Sequence, residues 1–198
     1  MALLTVFTPA YNRASTLPRT YQSLCEQECK DFIWLIVDDG SSDNTRELVE
    51  GWKNQDNGFE IQYIYKKNGG MHTAHNVAYE NIHTELNVCI DSDDRMAEGA
   101  VKKIKTAWLK ARNKNYAGLI GLDADMNTGR IIGKGFPNGL KETTLGGYYA
   151  SGGEGDKKLV YRTDVINSVP PYPVFEGEKY VGLVYKYTLI DQKYSFLC

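Results

Sequence analysis

The chain has 198 residues, of which 42% are hydrophobic and 24% charged, enough apolar material for one packed domain. Lysine and arginine total 23 and aspartate and glutamate 25, a net charge of −2 that argues against a dedicated nucleic-acid binder. The longest apolar run, Phe32–Val37, is far too short to cross a bilayer, and four cysteines are too few for a disulfide-stapled scaffold.

In chain order, Leu3 to Thr8 reads as a strand rather than a leader, because no basic segment precedes it and no cleavage site follows. Ser15 is placed to cap a helix carrying Leu17, Tyr21, Leu24 and Cys25, with Pro18 in its first turn. Phe32–Val37 is a second strand. Asn44 and Glu47 have capping-box spacing ahead of Leu48, Val49 and Trp52. A third strand spans Ile61 to Tyr65. Met71, Ala74, Ala78 and Ile82 repeat at helical spacing, and Leu86 to Ile90 is a fourth strand. Ala100, Val101, Ile104, Trp108 and Ala111 mark a long helix. The second half is glycine-rich, with strands expected at Tyr116–Leu122, near Arg130–Gly133, at Leu159–Tyr161 and from Tyr194 to Cys198. A late helix is expected from Glu178 to Leu189. Short unbroken apolar runs alternating with helices predict βαβ units around a mostly parallel sheet buried on both faces.

In such sheets ligands bind beyond the carboxyl ends of the strands. Those ends carry Pro9-Ala10-Tyr11-Asn12-Arg13, Asp38-Asp39-Gly40-Ser41-Ser42-Asp43, Asn68-Gly69-Gly70 and Asp91-Ser92-Asp93-Asp94. Clustered carboxylates repel unless a donor or cation offsets them, and an all-oxygen donor set suits Mg²⁺ or Mn²⁺. No dinucleotide fingerprint or Walker A loop is present. Fourteen tyrosines suit a polar, stacking sugar or base site. His72 and His75 have no further partner that would make a zinc site.

These four motifs, in this order, each after an expected strand, resemble the family two glycosyltransferases of the GT-A fold. The resemblance is close over residues 3–112 and looser beyond. It implies an α/β fold of GT-A (Rossmann-like) type, with a mostly parallel central sheet flanked by helices and a small acceptor-side extension. It implies a single catalytic domain over 1–198, with residues 1–95 holding the nucleotide sugar and 96–198 the acceptor. The pattern of the family leads one to expect the chain to continue past residue 198.

By that resemblance Pro9, Tyr11 and Asn12 line the base pocket, Asp39 accepts from the base or ribose, and Asp38 holds the turn. His75 and Asn76 contact the nucleotide, although the family more often has arginine where His75 stands. Asp91 contacts ribose or metal, and Asp93 ligates the metal, Mn²⁺ or Mg²⁺, that neutralises the leaving diphosphate. Alternation along the chain would set Asp91 and Asp93 on one side of a strand end. The base that deprotonates the acceptor is assigned to Glu178 at the start of the late helix, with Glu176 and Asp156 as other candidates. The family's aspartate at this point is Lys179 here, a departure from the pattern.

The implied reaction is inverting transfer from a nucleotide-diphosphate sugar, UDP by family habit, to a hydroxyl of a glycan, lipid-linked or protein-linked acceptor in envelope polysaccharide assembly. Two alternatives stay open: a sugar-1-phosphate nucleotidyltransferase, whose glycine-rich loop after the first strand is absent, and a catalytically silent nucleotide-sugar binding module. Cys25 and Cys29 are expected as neighbours on one helix face, unsuited to a disulfide, and reduced cysteines point to the cytoplasm, with peripheral association at the inner membrane face left open.

Overall fold

A computed structural model describes residues 2–111 and 114–198. Strand β1 (Leu4–Ala10) is buried at all seven positions, which is why its sequence runs apolar instead of alternating. Helix α1 (Leu17–Cys25) follows, then β2 (Phe32–Asp38), α2 (Thr45–Lys53), β3 (Glu60–Tyr65), α3 (Met71–Asn81) and β4 (Leu86–Cys89). The remainder is α4 (Ala100–Ala111), β5 (Tyr116–Leu122), β6 (Glu142–Thr143), α5 (Leu145–Ala150), β7 (Lys157–Arg162), α6 (Thr163–Asn167), α7 (Val184–Asp191) and β8 (Ser195–Leu197).

One sheet takes all eight strands in the order β3-β2-β1-β4-β7-β5-β8-β6. The chain winds outward from β1 to β3, then returns to place β4 on the other side of β1. This reversal opens a crevice between the carboxyl ends of β1 and β4. β1 pairs in parallel with both β2 and β4. β7 is antiparallel to β4 and to β5. Its amino end therefore lies at the same sheet edge as the carboxyl ends of β4 and β5.

Successive strand residues feed opposite faces. Val6, Trp34, Ile36 and Val88 pack with Leu17, Leu24, Val49, Val101 and Trp108 of α1, α2 and α4. Phe7, Leu35, Val37 and Tyr161 pack with Ala74, Ala78, Ile166 and Ile190 of α3, α6 and α7. Trp34 and Trp108 are almost fully enclosed, and each large apolar side chain so buried contributes about 1.5–3 kcal/mol. Tyr21 stacks on Trp52 at 4.3 Å, and Trp52 on Trp34 at 5.8 Å.

Several local expectations are corrected. α1 is capped at Thr16, not Ser15, with no side-chain cap bond, and Asn44 makes none to α2; Asp43 Oδ1 accepts from Thr45 N–H instead, at 3.1 Å. Cys29 lies past the end of α1, so it does not share a helix face with Cys25; all four cysteines are free thiols. The strand near Arg130–Gly133 reduces to one bridge, Ala124 with Ile131, because glycine-rich turns leave no length to pair. The late helix begins at Val184 rather than Glu178; Glu178 follows a turn at Glu176-Gly177, with Gly177 at φ 80°, and the chain from there to Gly182 takes no regular secondary structure.

Candidate active site

The carboxyl ends of β1, β2 and β3 are stitched together by short polar contacts. Asn12 sits at φ 53°, its N–H donates to Ser41 Oγ at 2.8 Å, and its Oδ1 accepts from Ser42 N–H at 2.8 Å. Ala14 N–H donates to Asp43 Oδ2 at 3.0 Å. Asp38 accepts from Ser41 N–H at 2.7 Å and from the Tyr63 hydroxyl at 2.6 Å, which fixes the turn after β2. Between these braced loops Pro9 is buried at the end of β1, and Tyr11 stands half exposed.

Asp39, 4% exposed, is the centre of this region. Its Oδ1 accepts from Gly69 N–H at 2.9 Å and from Lys66 Nζ; its Oδ2 accepts from Gly70 N–H at 2.7 Å and Asn68 Nδ2 at 3.1 Å. A carboxylate offers about four lone-pair sites, and all are filled here. A base seeking this acceptor must therefore replace one of the four donors. Lys66 is the one charged side chain among the four donors, and its Nζ donates also to Thr73 Oγ1 and the Lys67 carbonyl, both at 2.7 Å. Lys66 carries no motif and was missed by sequence reasoning. The only available signal was a cation placed directly at the end of a strand.

Two glycines make the cradle possible. A Cβ on Gly40 would lie 2.7 Å from Asn68 N, and one on Gly70, at φ 96°, would lie 2.0 Å from the Lys179 carbonyl oxygen. The segment 176–180 thus leans directly on the entry to α3. Glu178 is exposed in that segment, beside the glycine turn, and not on a helix. His72, in the first turn of α3, is 0% exposed, and neither ring nitrogen has a partner among the described residues. Burial pushes its imidazole down, against the pull of Asp39.

His75 and Asn76 point away from the cradle. His75 is 1% exposed between the edges of Phe7 and Tyr172, and burial, then Lys186 and His72, drive its pKa down to about 3. Asn76 spends both ends of its amide on Tyr172, donating to its carbonyl at 2.9 Å and accepting from its N–H at 2.8 Å. That pair ties α3 to the segment leading to α7.

Across the crevice, Ile90 N–H donates to the Phe7 carbonyl at 3.0 Å and the chain then turns, Asp94 N–H donating to the Asp91 carbonyl at 2.9 Å. Asp91 and Asp93 therefore lie in a turn, not on alternating positions of a strand. The reversed β7 brings Lys158 to this turn, with its Nζ 4.0 Å from Asp94 Oδ2, and β5 delivers Asp123 beside it. Burial raises the Asp94 and Asp123 carboxyls, opposed by Lys158 and reinforced by neighbouring aspartates. Burial works against the Lys158 ammonium, but Asp123, Asp91 and Asp94 outweigh it and the net push is up. Lys158, Asp123 and Asp156 belong to this edge through register alone.

No three metal-binding side chains converge into a complete cage among the described residues. The chemistry of the turn is nonetheless that of a hard cation's partial shell. Several carboxylates crowd against one lysine, and such sites take their remaining ligands from substrate phosphates. Asp91 and Asp93 are the oxygen donors in this turn that could hold such an ion. Among the described residues no helix is long and apolar enough to cross a membrane.

A profile described as Glycosyl transferase family 2 matches residues 5–165. The chain is 30% identical over 101 residues to the "Putative teichuronic acid biosynthesis glycosyltransferase TuaG" of Bacillus subtilis (strain 168), covering 51% of this chain but only 40% of that protein. In fold it is similar to residues 1–349 of S. aureus TarS in complex with UDP-GlcNAc, with TM-score 0.68, 21% identity, and coverage of 100% of this chain and 56% of that 1–349 chain. It is also similar to the mannosyltransferase PcManGT from Pyrobaculum calidifontis in complex with GDP-Man and Mn²⁺, with TM-score 0.63, 15% identity, and coverage of 89% and 49%. With four strand-end motifs gathered at one edge of a GT-A sheet and the profile running across most of the chain, this protein belongs to glycosyl transferase family 2.

Proposed function

We propose that the chain is one catalytic domain that transfers a sugar from a nucleotide-diphosphate donor, UDP-linked, to an acceptor hydroxyl with inversion. Residues 1–95 would hold the donor and 96–198 the acceptor. The observation that carries the reading is the juxtaposition, across the β1–β4 crevice, of the Asp39 cradle with the Asp91–Asp93 turn. One is a carboxylate held at a strand end by Lys66, Asn68, Gly69 and Gly70, and the other is a carboxylate pair suited to a diphosphate's cation.

In this reading Tyr11 and Pro9 flank the base, and Asn12 shapes the loop behind it. Lys66 gives up its place on Asp39 to the base N–H. The amino end of α3, entered through Gly69 and Gly70, lies beside the cradle, and the positive end of its dipole would face the donor phosphates. His75 and Asn76 support the pocket from behind, one as a neutral ring in the core and the other as the strap to Tyr172. Asp91 and Asp93 would hold Mn²⁺ or Mg²⁺; when bound, the ion supplies Lewis-acid stabilisation of the departing diphosphate. Glu178, exposed one residue from the Lys179 carbonyl that touches Gly70, takes the acceptor's proton. The relative named for teichuronic acid biosynthesis supports an envelope glycan, free or lipid-linked, as acceptor. The neighbours bound to UDP-GlcNAc and to Mn²⁺ support the donor class and the ion.

The test is UDP release from UDP-sugars in the presence and absence of Mn²⁺. Glu178→Gln should cut turnover by about 10²–10⁴-fold while UDP affinity stays at the wild-type value. Asp93→Ala should abolish the Mn²⁺-dependent turnover while the fold survives. Full activity of the glutamine variant would move the base to Glu176 or Asp156. No UDP release from any wild-type preparation that binds UDP would favour the silent binding module, for which the lysine at 179 is the motivating observation.

A further inference from the structure

Directly beneath the Asp91 turn lies a cavity of about 100 Å³ that the reading above does not use. Asp91 and Lys158 form its mouth, Phe7 and Leu183 part of its wall, and Asn87 and Tyr161 its floor. The floor follows from the sheet register. Asn87 of β4 is paired with Tyr161 of β7, and directly paired residues of an antiparallel ladder project from the same face.

Both floor residues are enclosed, Asn87 at 0% and Tyr161 at 3% exposure. The Asn87 amide nitrogen is committed, donating to Thr163 Oγ1 at 3.0 Å and leaning on the Tyr161 carbonyl at 3.4 Å. That commitment fixes which end of the amide faces the cavity. It leaves Asn87 Oδ1, and with it the Tyr161 hydroxyl, without a partner among the described residues. Buried polar atoms are almost always satisfied, so a pair of unsatisfied ones lining a single cavity points to a ligand.

The two atoms ask for complementary things. Asn87 Oδ1 can only accept, while the tyrosine hydroxyl can donate. A single hydroxyl on a ligand would meet them with one atom and leave the apolar wall of Phe7 and Leu183 uncovered. A carboxylate or phosphate, although Lys157 and Lys158 also line the cavity, would set its oxygens against Asn87 Oδ1 and leave the apolar wall uncovered. A secondary amide ending in a methyl group offers an N–H, a carbonyl and an apolar cap within four heavy atoms.

We propose that this cavity is the subsite for the N-acetyl group of a 2-acetamido sugar on the donor. Asn87 Oδ1 accepts from the amide N–H, the Tyr161 hydroxyl donates to the amide carbonyl, and the methyl lies against Phe7 and Leu183. The inference rests on the donor reading above, because it is the Asp91 turn that sets the cavity mouth beside the transferred sugar.

Calorimetry on the full chain with Mn²⁺ and three probes, UDP, UDP-glucose and UDP-N-acetylglucosamine, tests it. The wild type should bind the acetamido donor more tightly than UDP-glucose. Tyr161→Phe removes a hydroxyl that has no hydrogen-bond partner among the described residues, so the fold should be retained. It should weaken UDP-N-acetylglucosamine by about 3–10-fold, the range of one neutral hydrogen bond, and leave UDP-glucose and UDP unchanged. Equal wild-type affinity for the two sugars, or a loss in the variant that is the same for both, would overturn the subsite while the donor reading stands on UDP binding. A wild type that fails to bind UDP itself would overturn the donor reading, and the subsite with it.

Discussion

Replacing Asp39 with alanine should cost both stability and nucleotide binding, by amounts that the cradle geometry sets. The carboxylate is 5% exposed and holds Gly69 N–H at 2.9 Å, Gly70 N–H at 2.7 Å, Asn68 Nδ2 at 3.1 Å and Lys66 Nζ. Lys66, 19% exposed, can turn to water, and Asn68 keeps its 2.8 Å bond to the Asp39 carbonyl. The two glycine N–H groups, on half-buried residues, lose their only acceptor among the described residues. A buried donor left unsatisfied costs about 1–3 kcal/mol, so the pair costs about 2–6 kcal/mol. For a chain of this size each kcal/mol lowers Tm by about 2–4 °C. Scanning calorimetry should therefore show Asp39→Ala melting about 4–24 °C below wild type. In titrations at a temperature where the variant is folded, UDP affinity should fall by about 1–3 kcal/mol, the value of a hydrogen bond to a charged group and its ordered loop. Asp39→Asn, which retains one oxygen for the glycine amides, should recover part of the stability. A melting point for the alanine variant within about 2 °C of wild type would refute the claim that this carboxylate holds the 66–70 loop. Unchanged UDP affinity would leave Asp39 a turn residue with no part in binding.

Gly70→Ala should detach the segment 176–180 from the start of α3, because the new Cβ would meet the Lys179 carbonyl at 2.0 Å and the backbone is held at φ 96°. The strain is worth about 1–3 kcal/mol, and limited proteolysis within 174–182 should accelerate; an unchanged cleavage rate would show that the contact is dispensable. His75 makes stability depend on pH. Its folded pKa, about 3, lies below its ordinary 6.5, so the native state binds fewer protons than the unfolded chain between those values. The contribution is fully present above pH 6.5 and is lost as pH falls toward 3, at up to about 1.4 kcal/mol per pH unit. Urea midpoints for His75→Phe should be flatter than wild type across that window, and parallel curves would count against a buried neutral imidazole.

The contrast between what was legible along the chain and what was not follows from the range of the forces involved. Phe32–Val37 announced a doubly buried strand because every residue in it meets core, and that requirement is written locally. The same holds for Leu4–Ala10 and for the helical spacing of Ala74 and Ala78. The motifs after those strands were legible too, since turns and acidic pairs are local chemistry, and their order along the chain was enough to suggest the fold.

The sequence by itself thus determined the layering of the sheet, the edge at which chemistry collects and the residue types on offer there. The partners of those residues were decided only in three dimensions. Asp39 is held by Lys66, Asn68, Gly69 and Gly70, which come 27 to 31 positions later and are brought over it by the parallel pairing of β2 with β3. Lys158 reaches Asp94, 64 positions away by subtraction, because β7 runs backwards between β4 and β5. His75 faces core instead of solvent because α3 turns that side onto Phe7. Glu178 lies in the loop that follows the Glu176-Gly177 turn and ends where α7 begins at Val184. Hydrophobic periodicity constrains each segment against an average interior, whereas hydrogen-bond partners depend on register between segments, and register is a property of the packed sheet.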